Sequence, residues 1–527
     1  MTNSIQEIEN NDVLFVIGSN TKHTHPIVAL RMIKAKRKGA KIIIADPRRV
    51  PLVRFADIWL QQRPGTDVAL LNAMMHVIVK EDLADKEFIA SMTEGFDDAF
   101  RSSIAEATPE IAEKITGVPK DLIVRAARLY AGGERAAIYY TMGITQHSHG
   151  TDNVLSIANL ALMTGNLGKE SSGVNPLRGQ NNVQGACDMG CLPNVYPGYQ
   201  RVTIPAVKAR FEELWSAKLS DQEGLTAPDM LNAAVQGKLK ALYIMGENPA
   251  LTDPDIAHTR KAFDALELVV VQDIFMTETA ELAHVVLPAT SFAEKVGTFT
   301  NTERRVQRVR RAVSAPGSAM KDSLIIMELS RRMGYEMSYS HTVEIFREMG
   351  RAWPALAGMS YARLEDGGLQ WPCPTPDHPG TQFLFKGGFP RGKGRFTPVT
   401  YKPSAEVTDK DYPFLLTTGR VLFHYHTGSM TRRVKQLDTV SPEAFIEINP
   451  ADAKALSLET GMKVKVSSRR GSLTVKTVVT RRPAQGVVFI PFHFQEVAAN
   501  VLTSSTALDP VAKIPSLKVS AVRIEKA

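Results

Sequence analysis

Cysteine is nearly absent: Cys187, Cys191 and Cys373 are the only three in 527 residues. No two of them form a Cys-x-x-Cys pair, so the chain has neither a disulfide framework nor the usual spacing that holds zinc or an iron-sulfur cluster. Long apolar runs are also missing. The longest are strand-sized, such as VLFVIG, far short of the roughly 20 residues that cross a bilayer. The opening MTNSIQEIENND lacks the basic and apolar regions of a secretion signal, so the default expectation is a cytoplasmic protein with no membrane span. There is no GxGxxG fingerprint, so no single motif announces a nucleotide site. The net charge is +8, but the basic residues are scattered as pairs (Arg48/Arg49, Arg304/Arg305, Arg310/Arg311, Arg432/Arg433, Arg469/Arg470) without an aromatic-rich basic stripe. That pattern argues against nucleic acid and suits internal polyanionic ligands equally well.

What is present is ample apolar content, 44%, enough for the cores of three or four domains. The first 80 residues alternate strand and helix. NDVLFVIGSN, AKIIIADPRR and ADIWLQQRPGTD each read as a strand with polar residues at its carboxyl end, among them Gly18, Asn20, Asp46, Arg48, Gly65 and Asp67. The carboxyl edge of a parallel sheet is where open α/β folds bind nucleotides. The pattern recurs: LKALYIMGENPA ends at Gly246, Glu247 and Asn248, and LVVVQD ends at Gln272 and Asp273. Gly18 to Asp46 spans 28 residues and Gly246 to Asp273 spans 27, so two copies of one α/β unit are expected. Two unrelated βαβ units also look alike; the Gly-x-Asn shared by both copies favours duplication.

Between the copies, residues 67–135 read as helical, followed by the strand AAIYYTMG and the loop ITQHSHGTDN. His147 and His149 lack a third ligand, so they read as hydrogen-bonded structure and not as a metal site. No residue is nominated as a metal ligand. The segment SGVNPLRGQNNVQGACDMGCLPNVYPGYQ carries four Asn, three Gln, five Gly and three Pro without a helical or strand period, and reads as a long functional loop. Within it Arg178, between Pro176 and Gly179 and followed by Gln180 and Asn182, presents a rigid five-donor fork suited to a small planar anion such as a carboxylate. Residues 340–400, rich in Gly, Pro and aromatics, read as a linker. After Asp411, short alternating strands with turn signals suit a closed β-barrel.

GVNPLRGQNNVQGACDMG resembles the active-site segment of the formate dehydrogenase catalytic subunit, in the molybdopterin oxidoreductase (DMSO reductase-like) family. The resemblance extends over essentially all 527 residues. It implies two molybdopterin guanine dinucleotides around one molybdenum or tungsten, with formate held by Arg178 and Gln180 and Asn182 in its neighbourhood. Asp46, Arg48, Gly65 and Asp67 would then serve one guanosine, and Glu247, Asn248, Gln272 and Asp273 the other. Met142, Gly143 and Gln146 would pass beside the pterins. At the barrel mouth, TTGRVLFHYHTGSMTRR implies Thr418, Gly419, Arg420, His424, Thr427 and Ser429 as cofactor residues, with Asn500 and Lys518 in the closing segment; His424 and His426 otherwise satisfy a loop. The implied fold class is α/β: two related α/β domains with parallel sheets (1–178 and 179–340), an irregular lobe (341–405) and a barrel of double-psi type (406–527).

Family members begin with a Cys-rich iron-sulfur segment and a metal-binding Cys or selenocysteine beside a His. Neither occurs here, and Cys187 and Cys191 are poor substitutes: the first belongs to GACDMG without being the family's ligand, and the second has no His beside it. The expectation is an amino-terminal part carried in trans or lost. An electron-transfer subunit of iron-sulfur, flavin or hydrogenase type is the expected partner. Alternatives are a sister enzyme acting on another oxyanion such as nitrate, or a non-catalytic cofactor holder.

Overall fold

A computed structural model of the chain describes residues 1–527. Five strands, β1 (Val13–Ile17), β2 (Lys41–Ala45), β3 (Ile58–Leu60), β4 (Ala136–Tyr140) and β5 (Gly173–Pro176), form a parallel sheet in the order β3-β2-β1-β4-β5. Every residue of β1 and β4 is buried. A central parallel strand is covered on both faces, which is why VLFVI and AAIYY are unbroken apolar runs. The helix α1 (Pro26–Arg37) packs Val28 and Met32 with Leu14, Val16, Ile42 and Ile44 on one face. Helices α2 (Asp67–Lys80) and α3 (Gly150–Met163) join Phe15, Ile17 and Ile43 on the other. α2 is apolar almost all round because it is buried almost all round.

The Gly173–Gln200 segment is more regular than its sequence suggests. Gly173–Pro176 is edge strand β5, Val183–Asp188 is a short helix, α4, and Val195–Tyr196 pairs with Gln200–Arg201. Each piece is too short to show a period, and Pro176 is tolerated because its strand lies at the sheet edge.

A second parallel sheet is built from β6 (Ala241–Met245), β7 (Leu268–Asp273) and β8 (Val285–Pro288) in the order β8-β7-β6, the same sequence of strands as β3-β2-β1. The likeness reaches single atoms. Gly18 and Gly246 end the first strand of each sheet with φ of 57° and 65°. Their N–H groups donate to Ala45 O and Gln272 O, both at 2.9 Å, the carbonyls immediately before Asp46 and Asp273. Asp46 accepts from Arg48 N at 2.9 Å, and Asp273 from Phe275 N at 3.3 Å, two residues on in each case. The antiparallel pair β9 (Gly297–Thr300) and β10 (Arg305–Val309) follows.

Six strands, β11 (Phe414–Gly419), β12 (Phe445–Ile448), β13 (Lys463–Ser467), β14 (Ser472–Val479), β15 (Val487–Pro491) and β16 (Ser520–Lys526), close a barrel in the order β11-β15-β12-β14-β13-β16. It is filled by Leu416, Ile446, Val464, Val475, Val488 and Val522.

These elements form two compact units: Met1–Leu177 with Leu251–Ala257 and Phe383–Ala527, and Arg178–Ala250 with His258–Gln382. The stretch expected as one irregular lobe is therefore divided. Residues 341–382 fall in the second unit, where the helix Thr342–Ala352 supplies Phe346 to a small core with Leu356, Leu364 and Cys373. In the first unit Phe396 packs on Phe96 and Phe100. No helix is long and apolar enough to cross a membrane.

Candidate active site

In the first unit, polar side chains collect where β1, β2 and β3 end. Asp46 is buried, and burial, with Asp67 adding to it, pushes its carboxyl up to about 6. Asp67, the first residue of α2, accepts from Gln62 Nε2 at 3.1 Å and is likewise raised by burial to about 6. His147 Nε2 lies 4.0 Å from Asp67 Oδ2 and 2.8 Å from Gly143 O. The carbonyl can only accept, so Nε2 carries the proton and Nδ1 is a bare lone pair; burial holds the ring neutral, with a pKa of about 4. His149 stacks on it, centroids 5.6 Å apart.

Gly143, on the short helix Met142–Thr145 that Gln146 ends, lies against the β1 turn. A Cβ on Gly143 would sit 2.4 Å from Gly18 O, and because both sides of that contact are backbone, neither can swing away. Gly143→Ala is expected to lower stability by about 1–3 kcal/mol through overpacking, measured by thermal denaturation, and to loosen the adjoining Met142 and Gln146. An unchanged melting temperature would show that the loop yields.

The barrel contributes cations to the same unit. Lys518 Nζ donates to Thr418 O at 2.8 Å, and Thr418 Oγ1 to Leu517 O at 2.7 Å. Burial, aided by the positive Arg420, lowers Lys518 to about 7. Arg420 stands 5.2 Å from the Tyr425 ring, its pKa also lowered by burial. Neither cation forms an ion pair. Arg48, by contrast, is engaged: it gives Nε and Nη2 to the buried Glu447 at 3.1 and 2.7 Å and lies 3.3 Å over the Phe489 ring. His424 has both ring nitrogens within reach of protein atoms, Thr431 Oγ1 at 3.3 Å and Ser441 O at 2.6 Å, which is the loop-satisfying arrangement. Thr427 Oγ1 meets Ser429 Oγ at 3.0 Å, and Asn500 Nδ2 donates to Thr252 O at 2.7 Å. Gly419 is packed against Phe489, which lies 2.8 Å from where its Cβ would be.

This cradle fits a phosphate-bearing dinucleotide. Asn20 Oδ1, Gln62 Oε1, His147 Nδ1, His149 Nε2 and Ser404 Oγ are buried without a protein partner, and Ser404 Oγ lies 2.1 Å from the position a Cβ on Gly65 would take. Buried polar atoms are ordinarily satisfied, so such a group beside Asp46 and Asp67 leaves bonding capacity that a ligand there could complete. The unpaired Lys518 and Arg420 suit its negative charge.

In the second unit, Gly246, Glu247 and Asp273 stand at the carboxyl ends of β6 and β7. Asn248 is tied to Glu278 Oε2 at 2.6 Å and to Thr279 Oγ1 at 2.7 Å; Gln272 donates to Asp322 at 2.7 Å and accepts from the Tyr243 hydroxyl. Both of these side chains are thus held by the protein.

Arg178 opens this unit. Its backbone N donates to Thr302 Oγ1 at 3.0 Å, and its Nη1 lies 3.4 Å from Cys187 Sγ on α4. Asn182, in left-handed conformation with φ 59°, caps the start of α4 and accepts from Thr300 N at 2.9 Å. The Arg178–Gln180–Asn182 run is therefore pinned to β9 and the turn after it. No group of three His, Cys, Asp or Glu side chains is placed to hold a metal ion. Sequence reasoning missed Thr302, Gln62, Ser404 and Asp188, the last bonded to Gln184, Tyr199 and Trp371. Only Asp188 carried a signal, as the acidic residue of GACDMG.

Two parallel sheets with polar carboxyl ends and a cation-bearing barrel define an α/β fold of the kind that takes a dinucleotide cofactor. The chain belongs to the molybdopterin oxidoreductase family. Residues 1–332 match the family model described as molybdopterin oxidoreductase, and residues 414–521 match the molydopterin dinucleotide binding domain. The chain is 54% identical over 530 residues to the F420-dependent formate dehydrogenase subunit alpha of Methanocaldococcus jannaschii, covering 100% of this chain and 78% of that protein. It is 44% identical over 532 residues to formate dehydrogenase H of Escherichia coli, covering 100% of this chain and 74% of that one. The fold is that of acetylene hydratase from Pelobacter acetylenicus, with a TM-score of 0.79 at 21% identity over 99% of this chain and 81% of the other.

Proposed function

We propose that the chain is the catalytic subunit of a formate dehydrogenase, converting formate to carbon dioxide with loss of one proton and two electrons, or the reverse. The observation that carries this reading is Arg178: a guanidinium whose backbone is anchored at Thr302 and whose fork lies beside α4, in a segment otherwise rich in neutral amides. A planar fork holds a carboxylate by two parallel charged hydrogen bonds, and Gln180 and Asn182 follow it in the chain with uncharged amides. A molybdenum or tungsten pterin, when bound, supplies the two-electron acceptor.

Of the first-unit residues, Asn20, Asp46, Gly65, Asp67, Met142, Gly143, Gln146, Thr418, Arg420 and Lys518 would hold one guanine dinucleotide, with Gly18 shaping its turn. In the second, Gly246, Glu247 and Asp273 would hold the other. An iron-sulfur, flavin or hydrogenase-type subunit would receive the electrons. Metal and pterin analysis with a formate assay of the same sample tests the reading: turnover supports it, while bound dinucleotide without turnover points to a cofactor holder.

Lys518 provides a second test. Guanosine diphosphate, as a fragment of the cofactor, is expected to return its pKa from about 7 toward the ordinary amine range. At pH 8 the free site is mostly neutral at Lys518, while Asp46 and Asp67, at about 6, are already ionised. Binding at pH 8 therefore takes up about one proton. The uptake fades below pH 7, where the amine is protonated beforehand. Calorimetry in buffers of different ionisation enthalpy measures it, and Lys518→Met is expected to abolish it.

A further inference from the structure

Where β11 and β15 end side by side, a histidine side chain takes over from the backbone ladder. The two strands pair in parallel with Gly419 opposite Pro491, and Phe492 N still donates to Gly419 O at 3.3 Å. One residue further, the bond is made by a side chain. His493 is fully buried; its Nε2 accepts from Val421 N at 2.9 Å, and its Nδ1 meets His426 O. A backbone N–H can only donate and a carbonyl can only accept, so Nε2 is the bare nitrogen and Nδ1 carries the proton. Burial holds the ring neutral, with a pKa of about 3. Phe492, His424 and Phe494 surround it, their ring centroids 5.1, 5.8 and 6.1 Å away.

The stretch between the two bonds, residues 421–426, contains neither helix nor strand, and Leu422 and Phe423 within it are exposed. Its shape therefore depends on side-chain bonds. His424 supplies one set, through Thr431 and Ser441, and His493 pins both ends. Arg420 lies between the two held backbone groups, Gly419 O on one side and Val421 N on the other. We propose that His493 is a positioning residue: by fixing Val421 N it sets the direction in which Arg420 leaves the barrel, and with it the affinity of the barrel mouth for the diphosphate of a nucleotide cofactor. The inference rests on the reading of Arg420 as a cofactor residue and deepens it.

Two amide variants separate this role from a merely structural one. Glutamine places its carbonyl where Nε2 stands and still accepts from Val421 N; asparagine reaches only the Nδ1 position and keeps the bond to His426 O. Isothermal titration of guanosine diphosphate into the full chain, with thermal denaturation of each variant alongside, is the test. His493→Asn is expected to bind about tenfold more weakly than wild type, the equivalent of one well-made hydrogen bond. His493→Gln is expected to stay within about threefold, although each variant loses one bond and the two melting temperatures fall alike. On an Arg420→Met background, His493→Asn is expected to change affinity by less than about twofold, because its effect passes through that side chain. Equal affinities in the two single variants, or a tenfold loss that persists without Arg420, overturns the proposal. So does an Nε2-protonated His493 ring in the wild-type chain by nitrogen NMR of the imidazoles, a measurement that needs no variant to fold. Failure of the wild type to bind, or Arg420→Met binding as tightly as wild type, overturns instead the reading of Arg420 as a cofactor residue, and the inference falls with it.

Discussion

Arg178→Lys in the cofactor-loaded enzyme is expected to lower kcat/KM for formate by about 10- to 150-fold, the equivalent of about 1.5–3 kcal/mol for a charged hydrogen-bonded pair. The loss appears mainly in KM. Lysine keeps the charge, so long-range attraction survives; what disappears is the planar fork that, on the proposed reading, would grip both carboxylate oxygens. Thr302 continues to anchor the backbone at residue 178, and the substitution leaves that bond untouched. The variant therefore isolates the side chain. Steady-state formate oxidation measures it, and an unchanged KM would remove Arg178 from the substrate site.

Glu447→Ala is expected to cost about 3–5 kcal/mol of stability, the usual loss when one member of a buried ion pair is deleted. Glu447 is 1% exposed and is the shared acceptor of Arg48, from the turn after β2, and of Arg482, from the barrel, at 2.7 and 2.9 Å. Without it two guanidinium groups face each other with no counter-charge, and Arg48 remains pressed on the Phe489 ring. The expected consequence is separation of the barrel from the first sheet, seen as a lower denaturant midpoint and looser retention of any dinucleotide by Asp46 and Lys518. Arg482→Ala, whose side chain is 48% exposed, is expected to cost no more than about 1 kcal/mol. Equal losses from the two substitutions would contradict a buried role for Glu447.

Much of the fold was legible because parallel sheets write themselves as uninterrupted apolar runs. VLFVI, KIIIA and LVVVQD marked β1, β2 and β7, and the 28- and 27-residue spacings revealed a repeat that the matching Gly18 and Gly246 turns bear out. α4 and β5 were hidden because four to six residues carry no measurable period. The lobe at 341–405 reads as a linker in the sequence because Gly and Pro mark the chain's turns whether or not a core lies between them; Phe346, Leu364 and Cys373 are part of one.

Arg178 and Asp46 could be nominated from residue type and local pattern alone, since a fork and a strand-end acid have recognisable chemistry, whereas Lys518 was implied only by the family resemblance. Their circumstances could not. Arg48 stands where the resemblance implies a cofactor residue and is also bonded to a glutamate 399 residues away; Asn248 and Gln272 are held by Glu278 and Asp322. The order of strands, the repeat and the family-bearing segment are properties of the sequence by itself, because each depends on neighbours along the chain. Which charges are buried, which are paired and which are left for a ligand was decided only by tertiary structure, because desolvation and ion pairing depend on groups that folding brings together from distant parts of the chain.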